Sequence, residues 1–469
     1  MLAIGNAPFP ILHDMVEAYV WGQEFQLGYN QHPPFWAWIC GGWFTLSPRE
    51  NWSFALLDAI NAGIGLAGAW ALIGDFARGG RRISAFSLLL LTPIYTLGAY
   101  KYDANTIFIS IWPWATHAFV RAKRTGRLDW SLLFGLLAGL ALLSKYYAVL
   151  LLVVCGLGAL TTPQGRAYLR STAPWISAAV AALLCAPHLI WLYENGAPPL
   201  RYFAQTSGRG LLHIWRDAFA SAANVALWFV GVAAFVGYFG WRSRGAIREN
   251  QVAGRDPEAW LLWILGLGPL LLTLVVGLVL GVKLTPEMPV GTLALIPLLL
   301  IDAIGPQDTQ ALATASRRAA VALVLAMAAL SPLVMVARTF VGKNAAGAPP
   351  YAEAADAVTR LWRDRVGAPL SYVAGAGIED FIAFYSPDRA HAFFAFDFDR
   401  NLWVTRQRLA ERGLTAVCFA SDAACIATAQ TFMTAASQRV SLTVAHRFLG
   451  HVARPRDLVV FIVPPTNTK

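Results

Sequence analysis

The chain has 469 residues, 57% of them hydrophobic and 14% charged, and a mean hydropathy of +0.50. An ordinary soluble domain carries roughly 25% charged residues, so a soluble single-core enzyme is excluded and an integral membrane protein is indicated. The formal charge of +10 does not point to nucleic acid, because most Lys and Arg stand in short runs between apolar segments, where positive charge sets topology.

Residues 1–12 are too short and too Pro-rich to cross a membrane, and they lack the charged flank and cleavage site of a signal peptide. The expectation is that a first transmembrane helix precedes this chain. The next stretch, 1–52 as a whole, reads as an extracytoplasmic segment with juxtamembrane helices. Asp14 and Glu17 are three apart and share a face of any helix that starts there, with Tyr19 and Trp21 available to lie in the interface. Such paired acids suit a general base, and the structural alternative is that Asp14 caps the helix while Glu17 complements its dipole. Further on, His32 before Pro33 and Pro34 suits sugar orientation, metal ligation or a structural turn.

Apolar runs near the ~20 residues needed to span a bilayer fall at about 53–77, 83–100, 105–120, 132–143, 145–160, 173–193, 217–240, 259–282, 288–304 and 318–340. Together they predict a transmembrane domain over 53–340 with about ten spans. Ser144-Lys145-Tyr146-Tyr147 puts a charge between the fourth and fifth runs, which is costly in mid-bilayer and reads as a re-entrant break. Arginine and lysine cluster in alternate loops: Arg78, Arg81 and Arg82; Arg121, Lys123, Arg124 and Arg127; Arg166 and Arg170; Arg242, Arg244, Arg248 and Arg255; Arg317 and Arg318. The positive-inside rule makes that set cytoplasmic. The other set faces outward: the first 50 residues, 101–104, 144–147, 194–216, 283–287 and everything beyond 341.

From about 345 the charges return and the apolar runs shorten to strand length. Strands are expected at 369–375, 390–396, 414–421 and 457–463, with helices at 351–366, 378–385, 404–412 and 422–436, which predicts an extracytoplasmic α/β domain over 345–469. Cys418 and Cys425 lie in this outward-facing module, where either a disulfide or two separately buried thiols is compatible with their spacing. Cys40, Cys155 and Cys185 sit in apolar runs and read as small buried hydrophobes. No Gly-rich phosphate loop occurs in the domain.

Asp14, Glu17-Ala18-Tyr19, Gly28-Tyr29 and His32-Pro33-Pro34-Phe35 up to Trp38, standing ahead of many apolar spans, resemble the GT-C glycosyltransferases of the protein O-mannosyltransferase and lipid A aminoarabinose transferase type. Lys101-Tyr102-Asp103-Ala104-Asn105, Ser144-Lys145-Tyr146-Tyr147 and Ala186-Pro187-His188 agree. The variant with Trp21-Gly22 and Glu24 looks most like the rhizobial lipopolysaccharide galacturonosyltransferases, and the resemblance covers about residues 12–300. It implies a transferase that takes a sugar from a polyprenyl phosphate carrier and attaches it, with inversion, to an acceptor hydroxyl on a lipid or glycan outside the membrane. The family's loop acid would be the base. Many members have adjacent acids before Ala-Tyr; here Val16 occupies the first place, so Glu17 matches by position and Asp14 by chemistry. The resemblance further implies a bacterial inner membrane location with a periplasmic site. Tyr19, Tyr29, His32, Asp103, Tyr146, His188 and Glu287 are the substrate-binding candidates. Metal dependence is left open, a divalent ion being compatible with the family.

Cations independently suit the donor, because a lipid phosphate gains charge as it leaves. Lys101, Lys145 and Lys283 all fall in outward loops; each also suits a snorkelling helix-end anchor. Three unpaired ammonium groups on one face would need an anion between them. Glu287 either pairs with Lys283 across one turn or touches the sugar. Two rival functions remain. A secondary transporter or flippase tolerates similar breaks and charges but usually shows paired halves, and no internal repeat is found. A protein O-mannosyltransferase would share the donor chemistry and differ in acceptor.

Overall fold

A computed structural model describes residues 11–95, 101–206, 210–242, 258–306, 308–340, 350–448 and 451–466. The expectations for residues 1–10, for the end of the run at 96–100 and for Arg244, Arg248 and Arg255 lie outside these residues. Among the described residues, five helices are long and apolar enough to cross a membrane: Asn51–Phe76, Ala173–Glu194, Leu212–Arg242, Ala259–Leu280 and Thr309–Leu333. Tyr146–Thr161 and Pro163–Arg170, bent by 116°, give a sixth if they form one span. The chain is a multi-pass membrane protein.

Fewer helices of spanning length than the ten expected apolar runs are therefore found among the described residues, because turns cut several of those runs. The run at 83–100 yields helix Gly79–Leu90, which stops before a 3-10 turn at Pro93–Tyr95. The run at 132–143 yields Leu128–Leu142, whose 15 residues reach about 22 Å, short of a hydrocarbon core of about 30 Å. At the expected break, Lys145 is extended and leads into a 3-10 turn, Tyr146–Ala148.

The chain divides into two compact units. One holds residues 31–36 and 58–326 and is a helical bundle. Helix Leu128–Leu142 packs against Ala173–Glu194 and Phe108–Thr125. Gly135 permits the first contact, since a Cβ there would stand 2.5 Å from the Ser177 carbonyl oxygen. Lys123 and Arg124, ending helix Phe108–Thr125, meet Glu258 before Ala259–Leu280. Two segments that the arginine pattern puts on one side of the membrane are thus joined.

The other unit holds residues 1–30, 37–57 and 327–469. Its helices His13–Glu24 and Phe35–Leu46 cross where Gly22 and Gly41 face each other, and a Cβ on either would run into the other's backbone. The C-terminal part is an α/β layer with strands β1 (Tyr372–Gly375), β2 (His391–Phe394), β3 (Leu414–Phe419), β4 (Gln438–Val444), β5 (Arg447–Phe448), β6 (His451–Val452) and β7 (Arg456–Val463). Strands β2, β1 and β3 run parallel, and β7 and β4 add antiparallel in the order β2-β1-β3-β7-β4. Helix Tyr351–Val366 lies where 351–366 was expected, and Glu379–Tyr385, Arg406–Arg412 and Ala423–Gln430 follow closely. Strand β4 was not foreseen, although Val440, Leu442 and Val444 alternate with Ser441 and Thr443; it is a largely exposed edge strand. Cys418 and Cys425 form a disulfide that ties β3 to helix Ala423–Gln430.

Candidate functional site

In the helical unit, a turn before helix Phe108–Thr125 gathers the polar residues. Asp103 Oδ1 accepts from the backbone N–H groups of Asn105 and Thr106, at 2.7 and 2.9 Å, and buried Tyr102 donates to the Trp36 carbonyl at 3.0 Å. This fixes the turn so that Asp103 Oδ2 lies 2.9 Å from Lys101 Nζ. Glu287 Oε2 lies 3.3 Å from the same ammonium. Lys145 donates to Asn105 Oδ1 at 2.6 Å. Burial, reinforced by the Lys145 charge, pushes the His32 imidazole down to about 3, so it is neutral at physiological pH. Tyr146 and His188 share a hydrogen bond of 2.9 Å, and the His188 ring stacks on Trp191.

Lys101, Asp103, Lys145, His32 and Glu287 are thus linked by contact or by charge, while Lys283 is exposed and makes no ion pair among the described residues. Two expectations are corrected. Glu287 pairs with Lys101, 186 positions away, and not with Lys283. Lys101 stands between two carboxylates, so the approach of these lysines does not by itself require a bound anion. Among the described residues no three His, Cys, Asp or Glu side chains are grouped to hold a metal ion.

The paired acids belong to the other unit. Helix His13–Glu24 has Leu12 at its N-cap, so Asp14 is not the cap; it sits in the first turn, where it complements the helix dipole. Its side chain is 48% exposed and 4.0 Å from His13 Nδ1. Glu17 is half-buried one turn later. Tyr19 and Tyr29 are both buried: Tyr19 is 3% exposed, wedged edge-on against Phe44 and Phe384, and Tyr29 is 1% exposed, stacked on Trp21 and bonded to its carbonyl.

Three acids escaped the sequence reading. Asp58 is buried inside helix Asn51–Phe76, with neither carboxyl oxygen hydrogen-bonded among the described residues; a lone acid in an apolar run was its signal. Glu379 and Asp380 are buried side by side, with Glu379 accepting from the Gly377 N–H at 2.7 Å and His13 Nε2 lying 3.6 Å from Asp380. Burial raises both carboxyls, Glu379 to about 8 with the Asp380 charge adding to its rise, while His13 partly offsets the rise at Asp380. The native state therefore keeps protons that the unfolded chain releases, so stability is full below the unfolded carboxyl range and falls as pH rises towards the native values. Thermal unfolding of the purified chain is expected to weaken from about pH 5 to about pH 8, and Glu379→Gln to flatten the decline. Parallel pH profiles for the two proteins would refute this.

The fold is that of a multi-pass membrane protein. Residues 31–191, which include His32, Lys101, Asp103, Lys145, Tyr146 and His188, match the dolichyl-phosphate-mannose-protein mannosyltransferase family. Over 193 residues the chain is 27% identical to the lipid A galacturonosyltransferase RgtD of Rhizobium johnstonii, a match that spans 40% of this chain and 40% of that relative's length. ArnT from Cupriavidus metallidurans shares the fold almost end to end. Its apo crystal structure gives a TM-score of 0.59 at 12% identity, and its complex with undecaprenyl phosphate 0.60 at 13%, each covering 98% of this chain and 95% of that one.

Proposed function

We propose that this chain transfers a sugar from a polyprenyl phosphate carrier to a hydroxyl of lipid A, lipopolysaccharide core or another envelope glycan, at the periplasmic face of a bacterial inner membrane. The observation that carries the reading is the Lys101–Asp103 and Lys145–Asn105 turn cluster, which falls within the stretch matching the mannosyltransferase family. The acceptor oxygen bonds to the anomeric carbon opposite the leaving phosphate. The bond from that carbon to the phosphate oxygen breaks, and its electron pair departs with the lipid phosphate. Asp14 or Glu17 takes the acceptor proton, and Lys101 and Lys145 stabilise the phosphate charge.

The test incubates the purified chain with a lipid extract containing polyprenyl-phosphate sugars, with lipopolysaccharide as acceptor, and scores the mass gained. A protein acceptor is the second reading, favoured by the description of the matching family, and is assayed in parallel. Movement of lipid-linked sugar across vesicles with no new glycosidic bond would show a transporter instead.

Orientation rests on the arginine and lysine asymmetry, with residues 53–340 as the membrane domain and 345–469 outside. A cysteine placed at Gln205 is expected to react with an impermeant maleimide added from the periplasm, and one placed at Gly245 to stay unmodified. Labelling at 245 and not at 205 would invert the topology.

A further inference from the structure

The C-terminal layer carries a second cleft that the transfer chemistry does not use. It opens at the carboxyl end of β3, has a volume of about 600 Å³, and is lined by Tyr351, Phe419, Ser421, Asp422, Arg454 and Arg456 among others. In sheets with parallel strands, the loops beyond the carboxyl ends are where ligand crevices form. Its size falls in the range of small-molecule sites. We propose that this cleft binds a phosphorylated saccharide.

Three features point to that ligand. First, the two guanidiniums stand on one short segment, and among the described residues neither makes an ion pair. Asp422 and Asp457 also line the cleft and keep their charge, each with one oxygen accepting a hydrogen bond: Asp422 from the Cys425 N–H at 2.9 Å, and Asp457 from the Thr443 hydroxyl at 2.6 Å. Both guanidinium forks are thus left without a carboxylate partner among the described residues, and their planar donors match phosphate. Second, Tyr351 is stacked on Phe381 with ring centroids 3.7 Å apart, a fixed aromatic wall for the apolar face of a sugar, and the Arg456 charge reaches its phenol. Third, the Cys418–Cys425 disulfide bridges the loop 419–424 that forms the cleft's floor, so the site is held in shape before any ligand arrives.

The inference goes beyond the transferase reading and gives its acceptor a docking point, resting on that reading only for the biological source of the sugar phosphate. The probe is N-acetylglucosamine 1-phosphate, titrated calorimetrically into the full purified chain, with inorganic phosphate and N-acetylglucosamine as separate arms. The sugar phosphate is expected to bind at least about tenfold more tightly than either arm, and Arg454→Gln with Arg456→Gln to weaken it at least about tenfold. Arg439→Gln, on strand β4 against Phe461, is expected to leave binding unchanged. Unfolding temperatures of all variants check that the layer remains intact.

The proposal is overturned if the wild-type chain binds no sugar phosphate, if inorganic phosphate binds equally well, or if the double variant binds like wild type. No donor is present and no turnover is scored, so the two readings fail separately. A chain that binds through the arginines but transfers nothing sinks the transferase; one that transfers without this binding sinks the cleft.

Discussion

Replacing Asp14 by Asn, or Glu17 by Gln, is expected to lower sugar transfer by about 10² or more while the protein stays folded. The amides keep the shape of the side chains and remove the ability to accept a proton. Asp14 is half exposed at the first turn of helix His13–Glu24, so losing its charge forfeits a dipole interaction of about 0.3–1 kcal/mol and weakens a solvent-screened contact with His13. That is too little to unfold a helix held by buried Tyr19, Val20 and Trp21 against its neighbours. A large loss of turnover with an unchanged unfolding temperature therefore isolates chemistry from stability. Near-normal turnover in both variants would place the base elsewhere, with buried Asp58 the next acid to test.

Glu258→Ala is expected to cost about 3–5 kcal/mol of stability, the usual penalty for stranding a buried charge. Lys123 has no exposed side-chain surface, and its ammonium lies 2.5 Å from Glu258 Oε1 and 3.3 Å from the Thr162 hydroxyl. The second carboxylate oxygen takes two bonds from Arg124, whose third contact is the Asp75 carbonyl at 2.7 Å. Deleting the carboxylate leaves two adjacent cations at the end of helix Phe108–Thr125, with Arg124 still held near Asp75 and Lys123 stranded. Adding Lys123→Met removes the stranded charge with a side chain of similar length, and the double variant is expected to recover much of the loss. The check is thermal unfolding in detergent followed by tryptophan fluorescence. If the single variant unfolds like wild type, or the double variant is no better than the single, the network is not holding these helices.

Sequence alone determined the features that depend on neighbours in the chain. Composition made this a membrane protein, short apolar runs located β1, β2, β3 and β7, and the charge at Lys145 marked a real break, because hydropathy, run length and the cost of a charge in lipid are all properties of a short window. The order of Asp14, Glu17, His32 and the later Lys-Tyr-Asp and Lys-Tyr-Tyr turns was enough to point to the GT-C class. What each polar group does was decided by contacts made between distant segments. Tyr19 and Tyr29 have the composition of interface residues, yet packing buried them. Glu287 had a lysine four positions away and joined one 186 positions away instead. Glu379 and Asp380 look like ordinary first-turn acids of a short helix until the fold buries them and raises their proton affinity, with His13 offsetting part of the rise at Asp380. Whether Cys418 and Cys425 bond depended on the end of β3 and the next helix coming to 5.7 Å between Cα atoms. Local patterns set which elements form and what they bury on average; burial and charge pairing at a given side chain are set by whatever the tertiary fold brings against it.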